Sequence, residues 1–188
     1  MTITIEDLLL SLPLVSSEEM LAGMSFIKRV MVILDSNILS LLVTPLGEDW
    51  PEDQKLFTEV YQCTEWFYRL LARGAFLTSS DLCDYEVRRE LIRIKSKSVQ
   101  ELDKLRNVIE FQKVSFILLQ KAADLWAELR ATGQPNKVKE NIDIDCILSA
   151  QWSLLKEKYP NRQVIIATKN IKDFQNVNHC PLWQDIHC

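Results

Sequence analysis

Residues 30–42 read VMVILDSNILSLL. Val30-Met31-Val32-Ile33-Leu34 is an unbroken apolar run, the pattern of a strand buried on both faces of a sheet. Asp35 follows at once, and Ser36-Asn37 opens a second apolar run, Ile38-Leu39-Ser40-Leu41-Leu42, with helical spacing. A carboxylate at the carboxyl end of a central parallel strand stands where open α/β sheets bind their ligands. Asp35 by itself has a second reading, because either it or Ser36 can cap the helix that follows.

Working outward, Ala75-Phe76-Leu77-Thr78 and Val164-Ile165-Ile166-Ala167 are the other strand candidates. Helices are predicted between them. One starts at Pro51, carries Leu56, Val60, Cys63, Phe67, Leu70 and Leu71, and stops at Gly74. A second is capped by Ser80 or Asp81 and runs to about Lys97. A third is capped by Ser98 and covers about 100–111. The spacing then predicts helices over Phe116–Arg130 and Ile142–Lys158, the latter with an apolar face at Ile144, Ile147, Leu148, Trp152 and Leu155. Residues 132–140 read as a polar loop. Strands separated by helices mean an α/β fold: a short parallel sheet flanked by helices in a Rossmann-like, three-layer α/β/α arrangement. Residues 30–188 are expected to form the domain, and residues 1–29 precede it as an extension, of which residues 1–23 are expected to be dispensable for chemistry.

The 188 residues are 47% hydrophobic and 26% charged, which is ordinary globular usage. The formal net charge of −4 argues against broad electrostatic binding of nucleic acid, although a local basic stripe can still serve. No apolar run has the length of a membrane span, and MTITIEDLLL lacks the basic start of a signal peptide. Five scattered cysteines read as reduced thiols, as expected of a cytoplasmic protein. His179-Cys180 and His187-Cys188 lack the short paired spacing of a structural zinc site. Trp50, Trp66, Trp126 and Trp152 fall on helical apolar spacing and read as core rather than base-stacking platforms.

Acidic residues recur at strand ends and helix starts: Asp35, Glu86, Asp143 and Asp145, and Asp173 beside Asn170. Each alone has a structural explanation. Glu86 can pair on a solvated face, Asp143 and Asp145 suit a helix dipole, and Asp173 can cap. Together they suggest more. Asp35 and Thr168–Asn170 both follow apolar strands, so both can face one crevice. Asp145 opens a helix of small apolar residues, Cys146-Ile147-Leu148-Ser149-Ala150. Crowded carboxylates raise one another's pKa unless a cation neutralises them, and hard oxygen donors select Mg2+ or Mn2+. Such a site suits phosphodiester hydrolysis. Arg88, Arg89, Arg93, Lys95 and Lys97 form the best basic stripe for RNA phosphates, with a solvated helix face the competing explanation.

The ordered set LDSN, YEVRREL, DIDCILSAQ and IIATKNIKDF resembles PIN domains, above all the VapC-type toxin ribonucleases of toxin–antitoxin pairs. The resemblance spans about residues 30–178. Asp35, Glu86 and Asp145 match the catalytic, metal-binding acids. Asn37, Asp143, Thr168 and Asn170 match supporting positions. The fullest pattern has an acid where Asn170 stands, and Asp173 is the candidate to supply that metal-binding carboxylate. The resemblance implies a PIN-like fold, Mg2+- or Mn2+-dependent cleavage of single-stranded RNA, a homodimer and a cognate antitoxin. The alternative is a catalytically inactive PIN-like module acting through protein or RNA partners. A DxDxT phosphatase would need a second Asp at Asn37. A receiver domain would need a phospho-acceptor Asp ending a middle strand, and Asp81 comes too late.

Overall fold

The apolar run Val30–Leu34 is the hub of the sheet. A computed structural model of the chain describes residues 30–46, 51, 54, 56–131, 142–174 and 180–186, with the backbone alone at 142 and 143. The extension 1–29, the polar loop 132–140, Trp50, His179 and His187-Cys188 lie outside the described residues. Four strands, β1 (Val30–Leu34), β2 (Phe76–Ser80), β3 (Glu110–Gln112) and β4 (Gln163–Ala167), pair in the order β3-β2-β1-β4, all parallel. Six described helices flank them: α1 (Ser36–Val43), α2 (Glu59–Ala72), α3 (Asp81–Arg93), α4 (Val99–Leu105), α5 (Phe116–Ala131) and α6 (Ile142–Lys158). Two 3-10 turns follow, Ile171–Phe174 and Trp183–Asp185. The arrangement is that of a three-layer α/β/α fold.

Every residue of β1 is buried, with Val32 paired to Leu77 on one side and Ile165 on the other. A strand covered on both faces and both edges has no place for a polar side chain, which is why its sequence is continuous rather than alternating. From β1 the chain moves outward through β2 to β3, then returns to place β4 on the opposite edge of β1. The order therefore reverses between β1 and β4. Leu34 and Ala167, at the carboxyl ends of these strands, stand at this switch point, the position at which open α/β sheets place their ligands.

The structure corrects several boundaries. The sheet has four strands rather than three. The third, Glu110–Gln112, was expected at the end of a helix over about 100–111, but that helix stops at Leu105. Three residues at a sheet edge, only one of them apolar and buried, carry no periodicity to read. β2 continues to Ser80 because Thr78, Ser79 and Ser80 are fully buried with bonded hydroxyls. Leu56 lies outside α2, which Thr58 caps through Tyr61 N–H. Gly74 ends that segment at φ 83°. Ser80 rather than Asp81 caps α3. That helix ends at Arg93, short of Lys97, with Lys95 at φ 54°. Ser98 precedes α4 but makes no side-chain cap bond. Trp66 and Trp152 pack inward as expected, whereas Trp126 is exposed, because α5 turns Leu118 and Ala122 toward α6 instead. No described helix is long and apolar enough to cross a membrane.

Candidate active site

Asp35 is both a cap and the centre of a network. Its backbone N–H continues the ladder to Ala167 O (3.1 Å), and its side chain then turns over the start of α1. Oδ1 accepts from Ser36 N–H (2.7 Å) and from the Ser36 hydroxyl (3.3 Å). Oδ2 accepts from Asn37 Nδ2 (2.6 Å) and from Thr168 Oγ1 (2.7 Å). The Thr168 hydroxyl, itself fully buried, also accepts from Asn37 Nδ2 (3.0 Å) and Asn170 N–H (3.0 Å). A hydroxyl has one proton and two lone pairs, so these partners fix its proton on Asp35. Lys169 N–H donates to Asn37 Oδ1 (3.1 Å), which sets the orientation of that amide. The ends of β1 and β4 are thus knotted by Asp35, Asn37 and Thr168, three of the sequence-derived site residues.

Burial pushes the Asp35 carboxyl above its ordinary value. The bonds from Thr168 and Ser36 pull it back, and the charge of Glu86 pushes it up again. Glu86 lies on α3 with 18% of its side chain exposed and Arg89 Nη2 at 3.9 Å. Two thiols, Cys83 and Cys180, share the low-dielectric surroundings of Asp35. Burial and then the Asp35 charge raise Cys83, and the same two causes push Cys180 up to about 12. Cys63, on the buried face of α2, is pushed up to about 12 by burial and by Glu59, against the pull of Lys169.

The remaining acids are placed by topology. The sheet is parallel and α6 runs into β4, so the first turn of α6, with half-buried Asp145, lies at the carboxyl end of the sheet. That helix packs against β4 and the 3-10 turn Ile171–Phe174. The Asp143 side chain lies outside the described set. Asn170 donates its amide to Asp173, and Asp173 N–H bonds back to Asn170 O (3.1 Å), so these two form a local pair on the rim. Among the described residues no group of three or more His, Cys, Asp or Glu side chains is gathered closely enough to hold a metal ion by itself.

The basic stripe separates into two kinds of residue. Arg88 bonds Asp84 through Nε (2.8 Å) and Nη2 (3.0 Å) and reaches Asp103 with Nη1 (2.8 Å). Arg93 pairs with Glu90, and Arg89 and Lys95 are exposed. Asp84, which sequence reasoning passed over, is buried between Arg88 and Arg106. Burial would raise its carboxyl, but the two guanidinium groups hold it below the usual range. The partner Arg106 comes from beyond α4, so no local spacing announces the bridge.

The donor types around Asp35 fit a hard cation. Mg2+ is commonly held by one or two carboxylates, with water and substrate phosphate completing its shell, and Asp35 and Glu86 offer two carboxylates. On Asp35 both acceptor directions of Oδ2 are taken by Asn37 and Thr168. Oδ1 faces a rotatable Ser36 hydroxyl at 3.3 Å, so Oδ1 is the oxygen that can turn to a cation without breaking the knot. No family model, curated protein or solved structure matches this chain.

Proposed function

We propose that this protein is a Mg2+- or Mn2+-dependent endoribonuclease that cleaves single-stranded RNA, working as the toxin of a toxin–antitoxin pair. The observation that carries the reading is the state of Asp35: a buried carboxylate at the adjoining carboxyl ends of β1 and β4, held above its ordinary pKa by burial and by the charge of Glu86. A cation there relieves both causes at once, lowers the pKa of a bound water and neutralises charge on a phosphate. In this reading Asp35, Glu86 and Asp145 hold the metal with Asp173 at the rim. Asn37 and Thr168 aim Asp35, with Asn170 and Asp143 in support, and Arg89, Arg93 and Lys95 meet the RNA backbone. The resemblance to VapC-like PIN domains adds a homodimer, an inhibiting antitoxin and a cytoplasmic setting.

The test is cleavage of total RNA with Mg2+, in excess EDTA, and by Asp35→Asn. Cutting that needs the metal and disappears in the variant supports the reading; cutting that persists in EDTA sinks it. A second reading has its own observation: the four donors already on Asp35 are what a purely structural cap would have, which favours an inactive binding module. A melting temperature that ignores Mn2+ would select it.

A further inference from the structure

Tyr85 immediately precedes Glu86 on α3, yet 57% of its surface is open to solvent. One turn further on, the Arg89 guanidinium carbon sits 5.6 Å from the centroid of the Tyr85 ring. The same guanidinium points Nη2 at Glu86 Oε1, 3.9 Å away. Arg89, one turn on from both, thus links the exposed ring to the Glu86 carboxylate, the acid whose charge reaches Asp35. An aromatic face beside a cation at the rim of an acidic site matches the two halves of a nucleotide. The π face stacks on a base, and the guanidinium meets a phosphate while its plane can extend the stack.

Resting on the ribonuclease reading above, we infer that Tyr85 and Arg89 form a platform for one unpaired nucleobase and its phosphate at the entrance to the Asp35–Glu86 site. The platform selects single strands. A base inside a duplex has both faces covered by its neighbours, whereas a base in a loop or open strand can lie on the ring. Arg89 also explains how the acidic site tolerates an anionic substrate, because it screens Glu86 on the side from which the strand arrives.

The test is fluorescence anisotropy in EDTA, where a metal-dependent enzyme does not cut. The probe is a labelled single-stranded RNA of about a dozen uridines, compared with a duplex of the same length. The parent should bind the single strand more tightly. Tyr85→Ala should raise Kd roughly 10- to 100-fold with an unchanged melting temperature and an unchanged salt slope, and Tyr85→Phe should restore binding to within about twofold. Arg89→Ala should lower the slope of log Kd on log salt by about 0.7. Parent-like binding by Tyr85→Ala, a Phe variant as weak as the Ala variant, or no binding of the strand by the parent would each overturn the platform. The ribonuclease reading fails separately: a parent that binds the strand through Tyr85 but never cuts it with Mg2+ or Mn2+ keeps the platform and loses the nuclease.

Discussion

Thr168 Oγ1 donates to Asp35 Oδ2 across 2.7 Å, joining residues 133 positions apart in sequence. With β1 and β4 hydrogen-bonded as neighbours, this bond turns two separate strand ends into one site. Thr168→Val keeps the shape and removes the hydroxyl, leaving Asp35 short of a donor and both Asn37 Nδ2 and Asn170 N–H short of an acceptor. We expect a loss of about 2 kcal/mol or more in urea unfolding, with Thr168→Ser staying within about 1 kcal/mol of the parent. Equal stability of the Val variant would show that the network contributes nothing net.

Asp35 also makes stability depend on pH. Its folded pKa is raised above the ordinary 3.8, so the folded chain keeps this proton after the unfolded chain has lost it. Its contribution is therefore flat at low pH, falls as pH rises from the ordinary value through the raised one, and is flat again above. Asp35→Asn cannot titrate. The melting temperature of the variant minus that of the parent should grow as pH rises above the ordinary 3.8 and level off once the folded carboxyl has ionised, and Mn2+ should shrink the gap by stabilising the parent alone. A gap that shrinks as pH rises in EDTA would contradict the burial argument.

In the proposed metal site, the Asn170–Asp173 pair on the rim would tune the affinity for the cation. Asn170→Asp would replace the amide that now donates to Asp173 with a second carboxylate. Without metal the two repel, and with Mn2+ they converge on it. Calorimetric titration should show tighter Mn2+ binding in Asn170→Asp and weaker binding in Asp173→Ala, both changes smaller than those of Asp35→Ala or Asp145→Ala. Parent-like affinity in Asp173→Ala would make Asp173 a cap only.

Gln151 offers a stabilising change. Its side chain is buried on α6, and neither Oε1 nor Nε2 has a hydrogen-bond partner among the described residues. An amide desolvated without compensation costs about 1–3 kcal/mol. Gln151→Met conserves length and volume, so it should raise stability by about 1 kcal/mol or more, read as a shifted urea midpoint with the slope unchanged. A destabilised Met variant would mean that the amide is satisfied after all.

Legibility in the sequence follows the range of the interaction concerned. β1 and β4 were readable because each is a single apolar run, as strands covered on both faces must be. Thr78-Ser79-Ser80 was not, since its burial depends on hydroxyls bonded to Glu110 O and Leu34 O, distant acceptors that no local pattern reveals. β3 is held by pairing alone. The same division runs through the site. Asp35 announces itself by following a strand, and Asn37 by its spacing. That Asn37, Thr168 and Asn170 meet on one hydroxyl is a tertiary fact. Asp84 and Arg106 were invisible for the same reason, and so was the diversion of Arg88 from solvent to a buried ion bridge.

The backing of Thr168 has a bearing on synthesis. Its carbonyl accepts from Trp183 N–H (3.2 Å), Leu182 bridges it, and Trp183 stacks edge-on against Trp66, whose Nε1 donates to Ile186 O (3.0 Å). The strand bearing Asp35 is synthesised about 150 residues before Leu182, Trp183 and Ile186, which brace its partner. A nascent or prematurely terminated chain can own every acid of the site and still lack the clasp that orients them. If those acids cut RNA, the cell making the protein is shielded from it until translation has passed Ile186.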